Sequence, residues 1–157
     1  MRWLRMLWPM ACTRAWAFDP LGRVPVALWA ARTCSGAACL PRAAALACGL
    51  AEKAVSLFYE RRLHAVTSPV WIIRCEGQIR AVAAALEAER AAQTSPYWLD
   101  DTISHVDIAL TCAWRFVTDA HPGLIDPNAY AALAALTKKM EDTAVFQLIS
   151  QPFIPPT

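Results

Sequence analysis

From residue 43 onward, apolar side chains recur at spacings of three and four residues, the spacing of one face of an α-helix. A first helix is predicted over residues 43–64, with Leu46, Leu50, Ala54, Leu57, Phe58 and Arg61 on its stripe. A second is predicted over residues 69–92, with the stripe Ile72, Cys75, Ile79, Val82, Ala83 and Leu86. Glycine is scarce and β-branched runs are short, so the composition also favours helix over sheet. The sequence therefore predicts a mainly α fold.

Capping residues divide this region into separate helices. Ser68 followed by Pro69, and Asp126 followed by Pro127, each place an N-cap before a proline at the first helical position. Residues 93–103 form a predicted loop, anchored on the core by Tyr97, Trp98 and Leu99. The helix after Pro127 has the stripe Tyr130, Leu133, Leu136, Thr137 and Met140, and a short helix through Phe146 and Ile149 follows.

The start of the third helix is the most distinctive local pattern. Ser104 and Asp107 have the spacing of a capping box, in which each side chain accepts a hydrogen bond from the backbone N–H of the other. Ile103 and Ile108 have the spacing of a hydrophobic staple. The stripe Val106, Ala109, Leu110, Ala113 and Val117 follows. We expect Ser104 and Asp107 to be structural, and Asp107→Ala to cost about 1–2 kcal/mol.

Charge is distributed unevenly along the chain. Residues 1–50 carry six arginines and one acid, whereas residues 51–157 carry nine basic and twelve acidic side chains. The early arginines are scattered, without an aromatic and basic motif, so no nucleic-acid partner is expected. No apolar run reaches the roughly 18 residues needed to span a bilayer, so no membrane partner is expected. The six cysteines have no metal-ligand spacing, and no metal site is predicted.

Together, the helix pair, the Tyr97-Trp98-Leu99 loop, the capping box and the final shorter helices resemble the C-terminal domain of cytosolic glutathione transferases. The resemblance covers residues 45–153. Upstream, residues 19–26 are similar to the segment of that family's thioredoxin-like domain that carries a cis-proline. The resemblance assigns this role to Pro25, and it implies that the backbone of Val24 binds the cysteinyl part of glutathione. Residues 1–42 are accordingly expected to be an incomplete thioredoxin-like α/β remnant or a disordered segment, and residues 43–157 a helical bundle.

The resemblance implies a cytoplasmic, homodimeric detoxification enzyme that conjugates glutathione, as co-substrate, to small electrophiles without a cofactor. It also implies that Phe58, Tyr59 and Arg62 line the electrophile pocket. A simpler interpretation places Phe58 in the core and the other two on the surface. The residue that activates the glutathione thiol is not identified.

The chain also departs from the family pattern. Too few residues precede the helices for a complete thioredoxin-like domain. Residues 27–41 lack the acid and serine pair that binds the glutamyl end of glutathione in the family. We therefore expect the first third to be truncated, or translated partly in a wrong frame. The alternative hypothesis is a non-catalytic helical interaction module, or an inactive fragment of a glutathione transferase.

Overall fold

The computed structural model describes residues 39–155, with side chains from residue 42. Five α-helices and one 3₁₀ turn make up the described part, and it contains no β-strand. The helices are α1 (Cys39–Leu63), α2 (Pro69–Ala91), α3 (His105–Ala120), α4 (Ala131–Glu141) and α5 (Ala144–Ile149), and the 3₁₀ turn is Pro127–Tyr130. The mainly α prediction is confirmed. No helix in this part of the chain is long and apolar enough to cross a bilayer.

Helices α1 and α2 form an antiparallel hairpin. Helix α1 begins at Cys39, four residues before the predicted start, because Pro41 lies within the first turn, where its missing N–H has no helical partner to lose. Arg42 pairs with Glu89 at one end of the hairpin, and Arg61 pairs with Glu76 near the other. Placing Arg61 on the core stripe was wrong, because this side chain is exposed and its charge is met by Glu76.

The four longer helices pack in a ring around one core. Helix α1 packs against α2 and α3, and α4 closes the ring between them. The predicted stripes supply the interior, and the largest fully buried apolar side chains are Trp98, Leu50, Leu57, Ile79, Leu86, Leu110, Leu133 and Met140. Because α3 carries alanine and valine at several core positions, it can lie close to its neighbours.

Two helix starts differ in how their backbone N–H groups are satisfied. Ser68 caps α2 as predicted, and its hydroxyl accepts from the N–H of Trp71 at 3.4 Å. Asp126 accepts from the N–H of Asn128 at 2.9 Å, but it starts a 3₁₀ turn rather than an α-helix. Helix α4 begins only after that turn. The carboxylate of Glu87, on α2, accepts from the N–H groups of Ala132 and Leu133 at 2.9 Å each.

Two smaller predictions are corrected by burial. Trp98 is buried and Tyr97 is half-buried, but Leu99 is exposed and does not anchor the loop. The chain bends through this loop, so one of three adjacent side chains can face the core while the next faces solvent. Ile103 and Ile108 are both exposed, so a contact between them would bury little apolar surface.

Candidate functional site

The Asp107 carboxylate lies at the centre of the best-defined polar cluster. It is fully buried, and its Oδ2 accepts from the N–H of Ser104 at 2.8 Å and from the Ser104 hydroxyl at 2.5 Å. The reciprocal capping box is present, as predicted. Oδ1 accepts a further bond, at 2.8 Å, from the backbone N–H of Trp98. One carboxylate therefore caps α3 and also fixes the loop that precedes it.

This cluster is suited to structural support rather than to catalysis. Each bond that Asp107 accepts comes from the protein itself, and the fully buried carboxylate has no access to solvent or substrate. A negative charge in the first turn also favours the positive end of the helix dipole. Trp98 lies nine residues before Asp107, a larger separation along the chain than in any capping pattern that the sequence can indicate.

Aromatic rings form a second cluster, where α1, α3 and the C-terminal tail meet. The ring of Phe58 is nearly perpendicular to those of Phe116 and Phe153, at centroid distances of 6.2 and 5.7 Å. Phe116 and Phe153 are 5.8 Å apart in the same edge-to-face arrangement. The tail is held there by Arg115, which donates to the Ser150 hydroxyl at 2.7 Å and to a backbone carbonyl beyond it.

The three residues predicted to line the electrophile pocket point in different directions. Phe58 is buried in the aromatic cluster, whereas Tyr59 and Arg62 lie on the exposed side of α1. The rings of Phe58 and Tyr59 are 6.3 Å apart. Of the three, only Phe58 therefore has the apolar surroundings that an aromatic electrophile would need. Val24 and Pro25, predicted to bind glutathione, lie outside the described residues.

His121 is buried beside the aromatic cluster, at the C-terminal end of α3. Its Nε2 lies 2.9 Å from the carbonyl oxygen of Ala54, and because a carbonyl can only accept, Nε2 carries the hydrogen. Burial lowers the pKa of His121 from its ordinary value, although the bond to Ala54 acts in the opposite direction. The neutral imidazole therefore joins α3 to α1. Nothing in the local sequence marks this contact, because the partner of His121 is on a distant helix.

The remaining shifted groups are also tied to structure. The pKa of Glu60 is lowered by the backbone N–H of Ser68, which donates to it at 2.6 Å, and by the side chain of His64. Burial raises the pKa of the Cys75 thiol, which makes it a poor nucleophile at neutral pH. The exposed thiols of the described part are Cys48 and Cys112. Among the described residues, no cluster of potential ligands could hold a metal ion.

A shallow cavity of about 270 Å³ lies between the end of α2 and α4. Arg90 and Lys139 border it, but the guanidinium of Arg90 already donates to the carbonyl oxygens of Ser95, Pro96 and Tyr97. Lys139 donates to the carbonyl of Pro96 and lies 4.2 Å from the centroid of the Tyr97 ring. These cations hold the loop in place, and none of the predicted site residues lines this cavity.

The fold and these clusters agree with a comparison against protein-family models. Residues 59–138 match the family described as glutathione S-transferase, C-terminal domain, and the matched region contains α2, α3 and the Asp107 cluster. A search of curated protein sequences returns no significant match. Since the family match extends over half of the chain, the protein belongs to the glutathione S-transferase C-terminal domain family.

Proposed function

We propose that this protein acts as a glutathione S-transferase that joins the thiol of glutathione to small electrophiles. The observation that carries the proposal is the family match over residues 59–138, on a helical bundle whose third helix is capped through Asp107. In such a reaction the thiolate of glutathione attacks the electrophilic carbon, a new carbon–sulfur bond forms, and the leaving group departs. The protein would lower the pKa of the glutathione thiol from about 8.5, so that more thiolate is available.

The proposal assigns the two substrates to different parts of the chain. Residues 1–38, which precede α1, would form the thioredoxin-like remnant and bind glutathione through the backbone of Val24, beside Pro25. The residues from Cys39 onward would form the helical domain and supply the electrophile site. Phe58 is the best-supported member of that site, because it lies among aromatic rings. Tyr59 and Arg62 remain predicted members, although they lie on the exposed side of α1.

We further propose that the protein is a cytoplasmic homodimer with glutathione as co-substrate and no cofactor. Support comes from the family alone, whose enzymes the sequence resembles in its helical part. Light scattering on the purified full chain tests the dimer directly, since a mass of twice 17.3 kDa is expected. A mass of one chain at micromolar concentration would contradict it.

Glutathione conjugation is tested on the full chain with an aryl halide as the electrophile. We expect turnover above the uncatalysed rate, and we expect Pro25→Ala to raise the KM for glutathione. Pro20→Ala is the matched control, because Pro20 lies in the same segment but outside the assigned contact. Absence of both turnover and glutathione binding in the unaltered protein would refute the proposal. Equal effects of the two substitutions would refute the assignment of Pro25.

The second candidate is a non-catalytic helical interaction module. One observation favours it: among the described residues, each ionisable group with a shifted pKa has a structural explanation, in a backbone hydrogen bond or in burial. None of these groups is placed to activate a thiol. If this candidate is correct, the full chain folds and melts cooperatively but does not bind glutathione at millimolar concentration.

A further inference from the structure

We propose that the turn joining α1 to α2 is a docking surface for an anionic lipid membrane. The hairpin tip, residues 59–74, exposes several apolar side chains that soluble proteins rarely leave close together on their surface. Leu63 is 60% exposed and Ile73 69%, while Val66 and Val70 reach 89% and 78%. These four residues lie within one short segment, at the end of α1, in the turn and in the first turns of α2.

Hydrogen bonds within the protein fix the conformation of the tip. Glu60, almost fully buried, accepts from the N–H of Ser68 at 2.6 Å and contacts Nδ1 of His64 at 2.8 Å. Both contacts join the end of α1 to the turn that leads into α2. An ordered tip can present its apolar side chains with a small entropic cost of binding.

The shape of the tip favours a lipid surface over a peptide or a small molecule. Small ligands bind in concave sites, and helical peptides lie in grooves. The tip is instead the convex end of a helical hairpin, where α1 ends at Leu63 and α2 begins at Pro69. A bilayer interface can deform around such a projection and accept its apolar side chains among the headgroups.

The charge of the tip favours an anionic membrane over the other candidate binding partners. Residues 59–74 carry three arginines and one glutamate, whereas the rest of the described chain carries seven basic and eleven acidic residues. Glu60 is engaged by the N–H of Ser68, and one of the three arginines, Arg61, pairs with Glu76 just outside the tip. The tip therefore forms the positive end of a helical domain that is otherwise acidic.

Two other candidate partners, the N-terminal segment of the same chain and a second copy of the protein, do not complement the positive charge of the tip. Residues 1–38 of the same chain carry five arginines and one acid, so they would bring more positive charge to the tip. A second copy docked tip to tip would do the same. Phosphate and carboxylate headgroups of anionic lipids instead complement the arginines. The sequence expectation of no membrane partner used the length needed to span a bilayer, which does not address binding to its surface.

The test is co-sedimentation of the full chain with lipid vesicles. Vesicles of phosphatidylcholine alone are compared with vesicles that also contain phosphatidylserine. We expect binding only to the second kind, weakened by added salt. The double variant V66S/V70S should lower the vesicle affinity about ten-fold or more, because both side chains lose their apolar contact. Arg62→Glu should lower it by at least about five-fold, the effect expected from one charge near the surface.

Matched controls separate the tip from the rest of the chain. Leu148 and Ile154 are 86% and 81% exposed on α5 and the tail, so L148S/I154S removes comparable apolar surface elsewhere and should leave vesicle binding unchanged. Lys138→Glu, on α4, makes the same charge change as Arg62→Glu and should also leave vesicle binding unchanged. The proposal would be overturned if the unaltered protein did not bind phosphatidylserine vesicles, or if the tip variants bound them as tightly as the unaltered protein does. Binding to soluble polyglutamate without binding to vesicles would assign the tip to an acidic peptide instead.

Discussion

Replacing Asp107 with alanine is the sharpest perturbation of this fold. Among the described residues, Asp107 is the only acceptor for the backbone N–H groups of Trp98 and Ser104, each at 2.8 Å from the carboxylate that the substitution removes. The substitution also removes the partner of the Ser104 hydroxyl at 2.5 Å. Trp98 and Asp107 are fully buried whereas Ser104 is half-buried, so the Trp98 N–H in particular cannot simply turn to solvent.

The magnitude follows from the number of bonds and from their burial. A helix cap alone contributes about 1–2 kcal/mol, which is what the sequence pattern predicts. Leaving a buried donor unpaired costs about 1–3 kcal/mol more, and Trp98 N–H is such a donor. We therefore expect Asp107→Ala to lower the free energy of unfolding by about 2–5 kcal/mol. Asp107→Asn keeps one acceptor oxygen and should lose about half as much.

Urea denaturation and thermal melting of the full chain measure this loss. At about 4 °C per kcal/mol, Asp107→Ala should lower Tm by roughly 8–20 °C. Asp101→Ala is the matched control, because Asp101 is an exposed acid of the same loop. If Asp107→Ala costs no more than Asp101→Ala, the carboxylate does not join the loop to α3 and our reasoning is wrong.

Three further predictions concern the other clusters. Because burial holds the pKa of His121 below 6.5, the folded protein binds fewer protons than the unfolded chain just below that pH, so stability falls as pH drops from 6.5. His121→Gln keeps a donor for the Ala54 carbonyl and should flatten that slope in urea melts, whereas His105→Gln, at an exposed position, should not. Phe153→Ala should cost about 1–2 kcal/mol through its two lost ring pairs, measured by Tm. Cys75 should react with a maleimide much more slowly than the exposed cysteines, followed by mass spectrometry.

Each of these has a result that contradicts it. A pH slope that survives His121→Gln would mean that another group accounts for the acid sensitivity. If Ile154→Ala, at an exposed tail position, destabilises the protein as much as Phe153→Ala, the ring pairs contribute nothing specific. Labelling of Cys75 as fast as that of Cys112 would show that the core around α2 opens readily.

Local patterns in the sequence predicted the helices because their signals lie within a turn or two. Ser68 before Pro69 marks the start of α2, and Ser104 with Asp107 marks that of α3, each through contacts no more than four residues apart. The spacing of apolar residues is also local, and it identified most of the core. The 3₁₀ turn after Asp126 was missed because the same cap and proline can start either type of helix.

Contacts between distant residues were not predictable in this way. The bonds from Trp98 to Asp107 and from His121 to Ala54 join a loop or helix end to another element. Nothing in the spacing of either pair marks it in the sequence. The packing of Phe153 on Phe58 likewise depends on where the tail crosses α1 and α3. The candidate site is therefore less predictable than the fold, since it is built from such contacts.

Amide hydrogen exchange at Trp98 and Ser104 tests most directly the claim that one buried carboxylate joins this loop to α3. Both N–H groups donate to Asp107, so in the unaltered protein we expect them to exchange as slowly as the amides of the α3 core. In Asp107→Asn, at least one should exchange much faster while the core of α1 stays protected. If both amides of the unaltered protein exchanged as fast as the amide of the exposed residue Asp101, the account would be contradicted.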